Sequence, residues 1–518
     1  MAGIEVVGSY EWWGPANLTN QKNNGHLATE IDIRLLSLED LPIGVDIVVG
    51  SPPCTQFSFA NRGGNGDIED GLKDIAKFLE VVDHIRPKYW AMENVPRVLG
   101  IIENEMMCGG RLERFSHLKP QMEVFDTSNW GVPQRRQRCI VGNIDFSLLN
   151  SYQSYTPKRT LGSVVSCLEK VNVVDPNYGV DLDKKELFDH EIEESLSAEE
   201  ERLNRESKTF HPVYNNMAFP DLLDRPARTV TATCTRVSRE SIVIESSDFK
   251  GKFRRLTVRE RGCLQGFPIT YQFFGQSHSQ KLKMIGNAVP PIFTFYIAQA
   301  MLKVKPEALL TLHDGIKNFS PTQDRPRSTR PDKVGSSFPV SRRFRAAIPH
   351  LRFKSGVRFE LVNECYEDSM SWRIDFFFGN SKNIVQIDLS SSLGMRLKSF
   401  KVLKNVLAVA YAEVGKVDLI LKTTDAQQLQ NVWVHKSVEG IHPYVLVDSI
   451  GEAVDAVVHQ LKNEKTDTSS LLANLLKDFD ATSGTKKLLT HSDAVIAGCL
   501  IGFMINGCLA TKCFQGGR

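Results

Sequence analysis

The β-branched run Val45-Asp46-Ile47-Val48-Val49 ends abruptly in Gly50-Ser51-Pro52-Pro53-Cys54, a junction that few folds accommodate. A short apolar run closed by Gly-Ser-Pro-Pro predicts a buried parallel strand delivering its C-terminal end to a rigid loop, where open α/β sheets carry their chemistry. Two prolines restrict the backbone just before Cys54, so its thiol has little entropy left to lose on reaching a transition state. A lone strand-end cysteine is by itself more often a small core residue. Its downstream company argues for chemistry. Tyr89-Trp90-Ala91-Met92-Glu93-Asn94-Val95 reads as a second strand ending in a carboxylate, and Gln134-Arg135-Arg136-Gln137-Arg138 leads into a third, Cys139-Ile140-Val141-Gly142. A thiol, a strand-end carboxylate and an arginine cluster suit nucleophilic attack on a ring that is protonated at one atom and held at a carbonyl oxygen.

These stretches, together with Arg225-Pro226-Ala227-Arg228-Thr229-Val230-Thr231 and Gly286-Asn287-Ala288-Val289-Pro290-Pro291, resemble the motifs of the DNA (cytosine-5) methyltransferase family, in that family's order. Leu256-Thr257-Val258-Arg259-Glu260 and Leu264-Gln265-Gly266-Phe267-Pro268 add a further family-like stretch, and the resemblance covers about residues 1 to 303. It implies a Rossmann-like α/β methyltransferase sheet with an inserted target-recognition domain. It also implies methyl transfer from S-adenosyl-L-methionine to C5 of cytosine in double-stranded DNA. Carried onto this sequence, Cys54 is the nucleophile that adds to C6, Glu93 protonates N3, and Arg138 with Arg136 nearby holds O2. Glu11 takes the cofactor's ribose, Trp12 stacks on adenine, Asp32 and Ile33 edge the adenine, and Pro53 and Asn287 complete the cofactor contacts. No metal is implied. The likeness further suggests a restriction-modification system in the cytoplasm of a prokaryotic or virus-infected cell, with a cognate restriction endonuclease. The alternatives are an inactive methyltransferase relic that binds DNA, or a methyltransferase-nuclease fusion.

The pattern fails at the beginning. Ile4 to Trp13 reads as a strand ending in an acidic residue and aromatics, the place where dinucleotide-type folds hold a ribose. Family members place another strand and a Phe-x-Gly-x-Gly turn before the equivalent of Met1–Val6, and that stretch is missing here. A truncated or misassigned start, or a separate polypeptide supplying the strand, is the expectation, because a sheet lacking its central strand keeps unpaired edges.

At 518 residues the chain predicts two or three domains, and its formal charge of +2 gives no whole-chain basic signal. Affinity for DNA would then rest on clusters such as Arg135, Arg136 and Arg138, or Arg254, Arg255, Arg259 and Arg261. The 10 cysteines form no Cys-x-x-Cys pair, which speaks against a zinc site and for a reduced compartment. No secretory signal is read at the start. The expected divisions are a catalytic domain over 1–144, a recognition region over 145–224, a return to the catalytic domain over 225–315 and a linker over 316–341. An α+β accessory domain over 342–463 and a tail over 464–518 follow.

Apolar positions Leu72, Ile75, Leu79 and Val82 predict a helix between the Cys54 and Glu93 strands, preceded by a glycine-rich loop, Asn61–Gly66. In the accessory domain a helical or mixed region, Arg342–Glu367, leads to strands over Trp372–Phe378 and Asn383–Leu389. A helix over Arg396–Ala412 and a strand over Lys416–Lys422 come next. That order resembles restriction-endonuclease-like nucleases, with Asp375 and Asp388 as the acids that would hold a cation, though the expected lysine after Asp388 is missing. The apolar stretch Ala494–Ala510 reads as a buried segment rather than a membrane span, with a displaced substitute for the missing first strand at Val495–Gly502 as another reading.

Overall fold

A computed structural model of the chain describes residues 1–57, 66–209, 217–317, 321–333, 335, 337–365, 370–380, 383–389, 391–476 and 485–513. The glycine-rich loop expected to follow the Cys54 stretch falls, apart from Gly66, outside the described residues. Two compact units result, one of Met1–Phe210 with Asn216–Val334 and one built on Gly335–Arg518.

The first unit is organised by a four-stranded sheet of β1 (Ile47–Gly50), β2 (Tyr89–Asn94), β3 (Gln121–Asp126) and β4 (Gln137–Gly142), in the order β1-β2-β4-β3. β1 and β2 are parallel, joined by the helix Ile68–Ile85, and β4 runs antiparallel to both β2 and β3. That helix forms for local reasons. Asp67 caps it by accepting the Asp70 N–H, and Leu72, Ile75, Phe78, Leu79 and Val82 recur at helical spacing on its buried face. The sheet alternates accordingly. Trp90, Met92, Cys139 and Val141 face this helix, while Ala91, Phe125 and Ile140 face Ile292, Phe293 and Tyr296 of the helix Pro291–Met301. Each such large apolar side chain contributes roughly 1.5–3 kcal/mol by its burial, so the two-sided packing sets the register of β4 and of the loop before it.

The strand expected over Ile4–Trp13 does not form. Residues 1–9 carry no regular element, and only Tyr10 makes an isolated parallel bridge, to Thr29. Val6 and Val7 are exposed, and among the described residues β1 pairs only with β2.

A second core of this unit draws on Leu161, Val164, Leu168 and Val173, and equally on Val230, Ile242, Ile244, Leu264 and Ile285. It carries the helix Leu161–Glu169 and two short hairpins, β5 (Asn172–Val174) with β6 (Asp181–Asp183) and β7 (Val243–Glu245) with β8 (Phe253–Arg255). Apolar packing therefore runs straight across the boundary expected at Asp224.

The second unit has an antiparallel sheet of β9 (Arg345–Arg352), β10 (Arg358–Cys365), β11 (Met370–Asn380) and β12 (Asn383–Ile387), in the order β12-β11-β10-β9. Two strands thus replace the helical or mixed region expected over Arg342–Glu367, whose last residues lie outside those described. Phe359 and Leu361 alternate with Arg358 and Glu360 there, which is strand and not helix periodicity. The strand expected over Lys416–Lys422 is instead the end of the helix Lys404–Leu421, where Val414, Val417 and Leu421 are buried at spacings of three and four. The helix Ser492–Cys513 is long and apolar enough for a membrane span by composition, but 61% of that window is buried inside this unit. Because Val495–Gly502 is helical and packs on Leu351, Phe359 and Leu389, it is no substitute strand.

Candidate active site

β1 ends at Gly50, and the loop that follows is pinned from β2. Asn94 Nδ2 donates to the Pro52 carbonyl at 3.1 Å, and Ser51 Oγ donates to Glu93 Oε2 at 2.6 Å. The thiol of Cys54 is half-buried at the turn closed by the Phe57 N–H on the Cys54 carbonyl. Opposite Glu93, the register Asn94 to Cys139 and Glu93 to Ile140 brings the start of β4 alongside, and Arg138 Nε meets Glu93 Oε1 at 2.6 Å. The structure thus brings Cys54, Glu93 and Arg138 into one cluster. Burial raises the Cys54 thiol above its ordinary pKa; Arg138 pulls it down, Glu93 pushes it up, Arg136 pulls it down, and burial dominates. Cys139, in the middle of β4, is pushed by burial to about 12 and is a structural thiol.

Arg136 is placed differently from its neighbour. Its side chain is 2% exposed and donates to three backbone carbonyls, Val230 at 3.2 Å, Gly286 at 2.8 Å and Ala288 at 3.1 Å. Burial, then the nearby charge of Arg138, lowers its pKa to about 9. Around it Gln134 donates to the Leu264 carbonyl at 3.1 Å and to Gln265, accepts the Val230 N–H at 2.9 Å, and Gln265 donates to the Ala288 carbonyl. Glycine is required at 286, since a Cβ there would stand 2.2 Å from the Ala232 nitrogen. The roles of Ser51, Asn94, Gln134 and Gln265 were not read from the sequence. The local signal was their position within three residues of a motif acid, proline or arginine.

Among the expected cofactor residues, the structure joins Glu11 to the Asp32 stretch through backbone bonds, Glu11 N–H to Thr29 and Ile31 N–H to Glu11. Glu11 Oε1 accepts the Trp13 N–H at 2.8 Å, Trp12 is exposed, and Asp32 accepts the Arg34 N–H at 2.9 Å. Ile33 packs partly against Leu36, Leu41 and Val81. Pro53 is exposed on the Cys54 loop, and Asn287 is exposed at the end of the helix His278–Asn287. That helix reaches the Trp13 segment through Lys283 over the Trp13 ring and Thr19 on the Met284 sulfur.

One expected DNA-binding cluster is corrected. Arg254, Arg255, Arg259 and Arg261 are all buried: Arg254 pairs with Glu260, Arg255 with Glu193, and Arg259 and Arg261 donate to the carbonyls of Tyr271 and Thr231. Arg135 is exposed. In the second unit Asp375 is paired with Arg373 at 2.8 Å and Asp388 is exposed just beyond β12. No group of three His, Cys, Asp or Glu side chains able to hold a metal occurs among the described residues.

The end of β1 thus carries a thiol beside the paired carboxylate and guanidinium of Glu93 and Arg138. The chain belongs to the C-5 cytosine-specific DNA methylase family, whose model matches residues 1–303. It is 29% identical over 271 residues to the type II methyltransferase M1.HphI of Haemophilus parahaemolyticus, covering 50% of this chain and 69% of that protein. It is 28% identical over 322 residues to M.HindV of Haemophilus influenzae, covering 60% of this chain and 94% of that protein. Among solved structures, the Dnmt2 methyltransferase of S. pombe aligns with a TM-score of 0.40 at 16% identity over 58% of this chain and 92% of that one. By family, the chain is a DNA cytosine methyltransferase with a Rossmann-like α/β sheet.

Proposed function

We propose that the chain methylates C5 of cytosine in double-stranded DNA through a covalent bond between Cys54 and C6. The observation that carries this reading is the cluster of Cys54, Glu93 and Arg138, with Arg138 and Glu93 paired at 2.6 Å beside the thiol. A target base reaches such a site only by leaving the duplex, at a cost of a few kcal/mol. Arg138 then takes the cytosine O2 and Glu93 donates a proton to N3. The Cys54 thiolate forms the S–C6 bond, and the C5–C6 π pair becomes the enamine that makes C5 nucleophilic. S-adenosyl-L-methionine supplies the electrophilic methyl group. Loss of the C5 proton to water, expulsion of Cys54 and return of the N3 proton to Glu93 restore the ring. Asn94 and Ser51 hold the loop and the carboxylate in place throughout.

The residues present fit the adenosine half of that cofactor. Glu11 is fixed at the 9–11 and 29–31 bridge for a ribose diol, with the exposed Trp12 ring beside it for adenine and Asp32 and Ile33 at its edge. Pro53 and Asn287 belong to the same proposed contact set. The methionine half is where β1 stands as an open parallel edge. Ala2 and Ile47 pack on one apolar cluster, and Tyr10 and Val48 on another. Recognition of the target sequence is assigned to residues 145–224, and residues 342–463 to an accessory domain in which Asp375 is paired with Arg373. The relatives are named type II methyltransferases, and by that likeness the cytoplasmic partner system includes a cognate endonuclease.

The test is a duplex with 5-fluorocytosine at the target, incubated with the chain and S-adenosyl-L-methionine. Wild type should give a covalent complex stable to denaturation, and Cys54→Ser should give none. Trapping that survives the substitution would remove Cys54 from the mechanism.

A further inference from the structure

Arg136 and Arg138 lie two residues apart at the entrance to β4, so on a strand they would share a face, yet their guanidinium groups serve different partners. Arg138 meets Glu93. Arg136 turns into the protein, and two of its three carbonyl partners, Gly286 and Ala288, are the residues on either side of Asn287. Ala288 is gripped a second time by Gln265, itself bonded to Gln134 at the start of the same arginine stretch. The backbone at 286 has no room to shift, because it packs against Thr231 and Ala232. An arginine held only by carbonyls forgoes the carboxylate that buried guanidinium groups usually take. Its Nε finds no partner among the described residues. Such an arrangement serves geometry: a planar fork with five N–H donors in fixed directions holds several carbonyls at set positions.

We propose that Arg136 is a positioning residue that fixes the 286–288 backbone and so holds Asn287 toward the cofactor, tying that loop to the strand that presents Arg138 to the base. Gln265 acts in the same way on Ala288 alone. The proposal rests on the methyltransferase reading above and assigns Arg136 to cofactor positioning rather than to contact with the cytosine.

Arg136→Lys and Gln265→Met are compared with wild type in the full chain. For Arg136→Lys the KM for S-adenosyl-L-methionine should rise about tenfold or more while kcat stays within about threefold, as expected for lost positioning of one ligand. Gln265→Met should show the same split, smaller. Amide hydrogen exchange over residues 286–289, measured on the free protein, should quicken in both variants. If Arg136→Lys lowers kcat and leaves the cofactor KM unchanged, Arg136 acts on the base and the proposal is wrong. Unchanged exchange in both variants would likewise overturn it. Should wild type itself fail to methylate, the methyltransferase mechanism has failed, and the exchange measurement still decides whether Arg136 holds the loop.

Discussion

β4 and β1 belong to one sheet and differ in almost everything else. β4 is paired on both sides, its Cys139, Ile140 and Val141 are within 1% of full burial, and the polar groups of the loop before it are met by Gln265, Val230, Gly286 and Ala288. β1 is paired on one side only, Val49 is 66% exposed, and the neighbouring Val6 and Val7 lie open. A parallel strand is ordinarily covered on both faces, so the β1 side is the anomaly. The contrast teaches that the proposed base-binding residues stand on a strand packed on every side, whereas β1 keeps one open edge.

The largest expected effect lies on the finished side. Glu93→Gln keeps the shape of the Ser51 and Arg138 contacts but removes the proton donor, and methylation should fall by about 10²–10⁴-fold, the usual range for a general acid. Measured with an unchanged DNA affinity, a loss under about tenfold would mean that N3 is protonated elsewhere.

Next comes the packing behind that side. Glu260 is fully buried; burial raises its pKa, but the bonds from Arg254 more than offset this and hold it below the usual carboxylate range. A carboxylate with a depressed pKa stabilises the fold above its unfolded pKa, and that contribution is lost as pH falls through the folded value. Arg254→Ala leaves the charge uncompensated and should cost about 3–5 kcal/mol, read as a lowered Tm at neutral pH. In wild type the Tm should fall as the solution is acidified, and the variant's should fall less.

The unfinished side gives the comparison its sharpest test. A peptide carrying a first strand and its glycine turn should raise the affinity for S-adenosyl-L-methionine at least about tenfold by calorimetry, since one charge-assisted contact alone is worth about 1.5–3 kcal/mol. If the chain without the peptide binds as tightly and methylates DNA, β1 is not an incomplete edge.

A pH profile separates the two sides again. Because burial holds the Cys54 thiol above its ordinary pKa, the thiolate is the minor form at neutral pH, and single-turnover methylation should climb about tenfold per unit until that pKa is reached. Arg138→Gln removes the largest cause opposing burial and should move the plateau to higher pH.

Much of the finished side was legible in the sequence, because its signals are local. The Pro-Cys loop, the strand ending at Glu93 and the strand after Arg138 each declare themselves within about ten residues, and the helix Ile68–Ile85 follows from its apolar spacing. Cys54, Glu93 and Arg138 could therefore be named before their proximity was seen. The carbonyl partners of Arg136 could not, since Val230, Gly286 and Ala288 are more than 90 residues away and contribute only backbone. The buried state of Arg254, Arg255, Arg259 and Arg261 was hidden for the same reason, because a run of arginines looks alike whether it faces phosphates or distant glutamates. The strand expected over Ile4–Trp13 was misread because β-branched residues mark a strand only where a neighbour exists to pair with. The helix ending at Leu421 was misread because a short apolar run does not distinguish strand from helix.

The smallest effect, that of Val49→Ala, is read in a matched pair on the same sheet. Ile140 on β4 is 1% exposed and packs among Phe125, Phe293 and Tyr296, so Ile140→Ala should cost about 2–5 kcal/mol through the cavity it leaves. Val49 on β1 has water where Ile140 has neighbours, and Val49→Ala should change stability by no more than about 0.5 kcal/mol in the chain alone. Denaturant midpoints with a common slope measure both. The useful number is the change in the Val49 value when the strand peptide is added. Burial against a new neighbour would turn a near-silent substitution into one costing roughly 1 kcal/mol or more, by the apolar area it withdraws from water. A Val49→Ala effect that stays near zero with the peptide bound would mean that the peptide does not pair along β1, whatever it does to cofactor affinity.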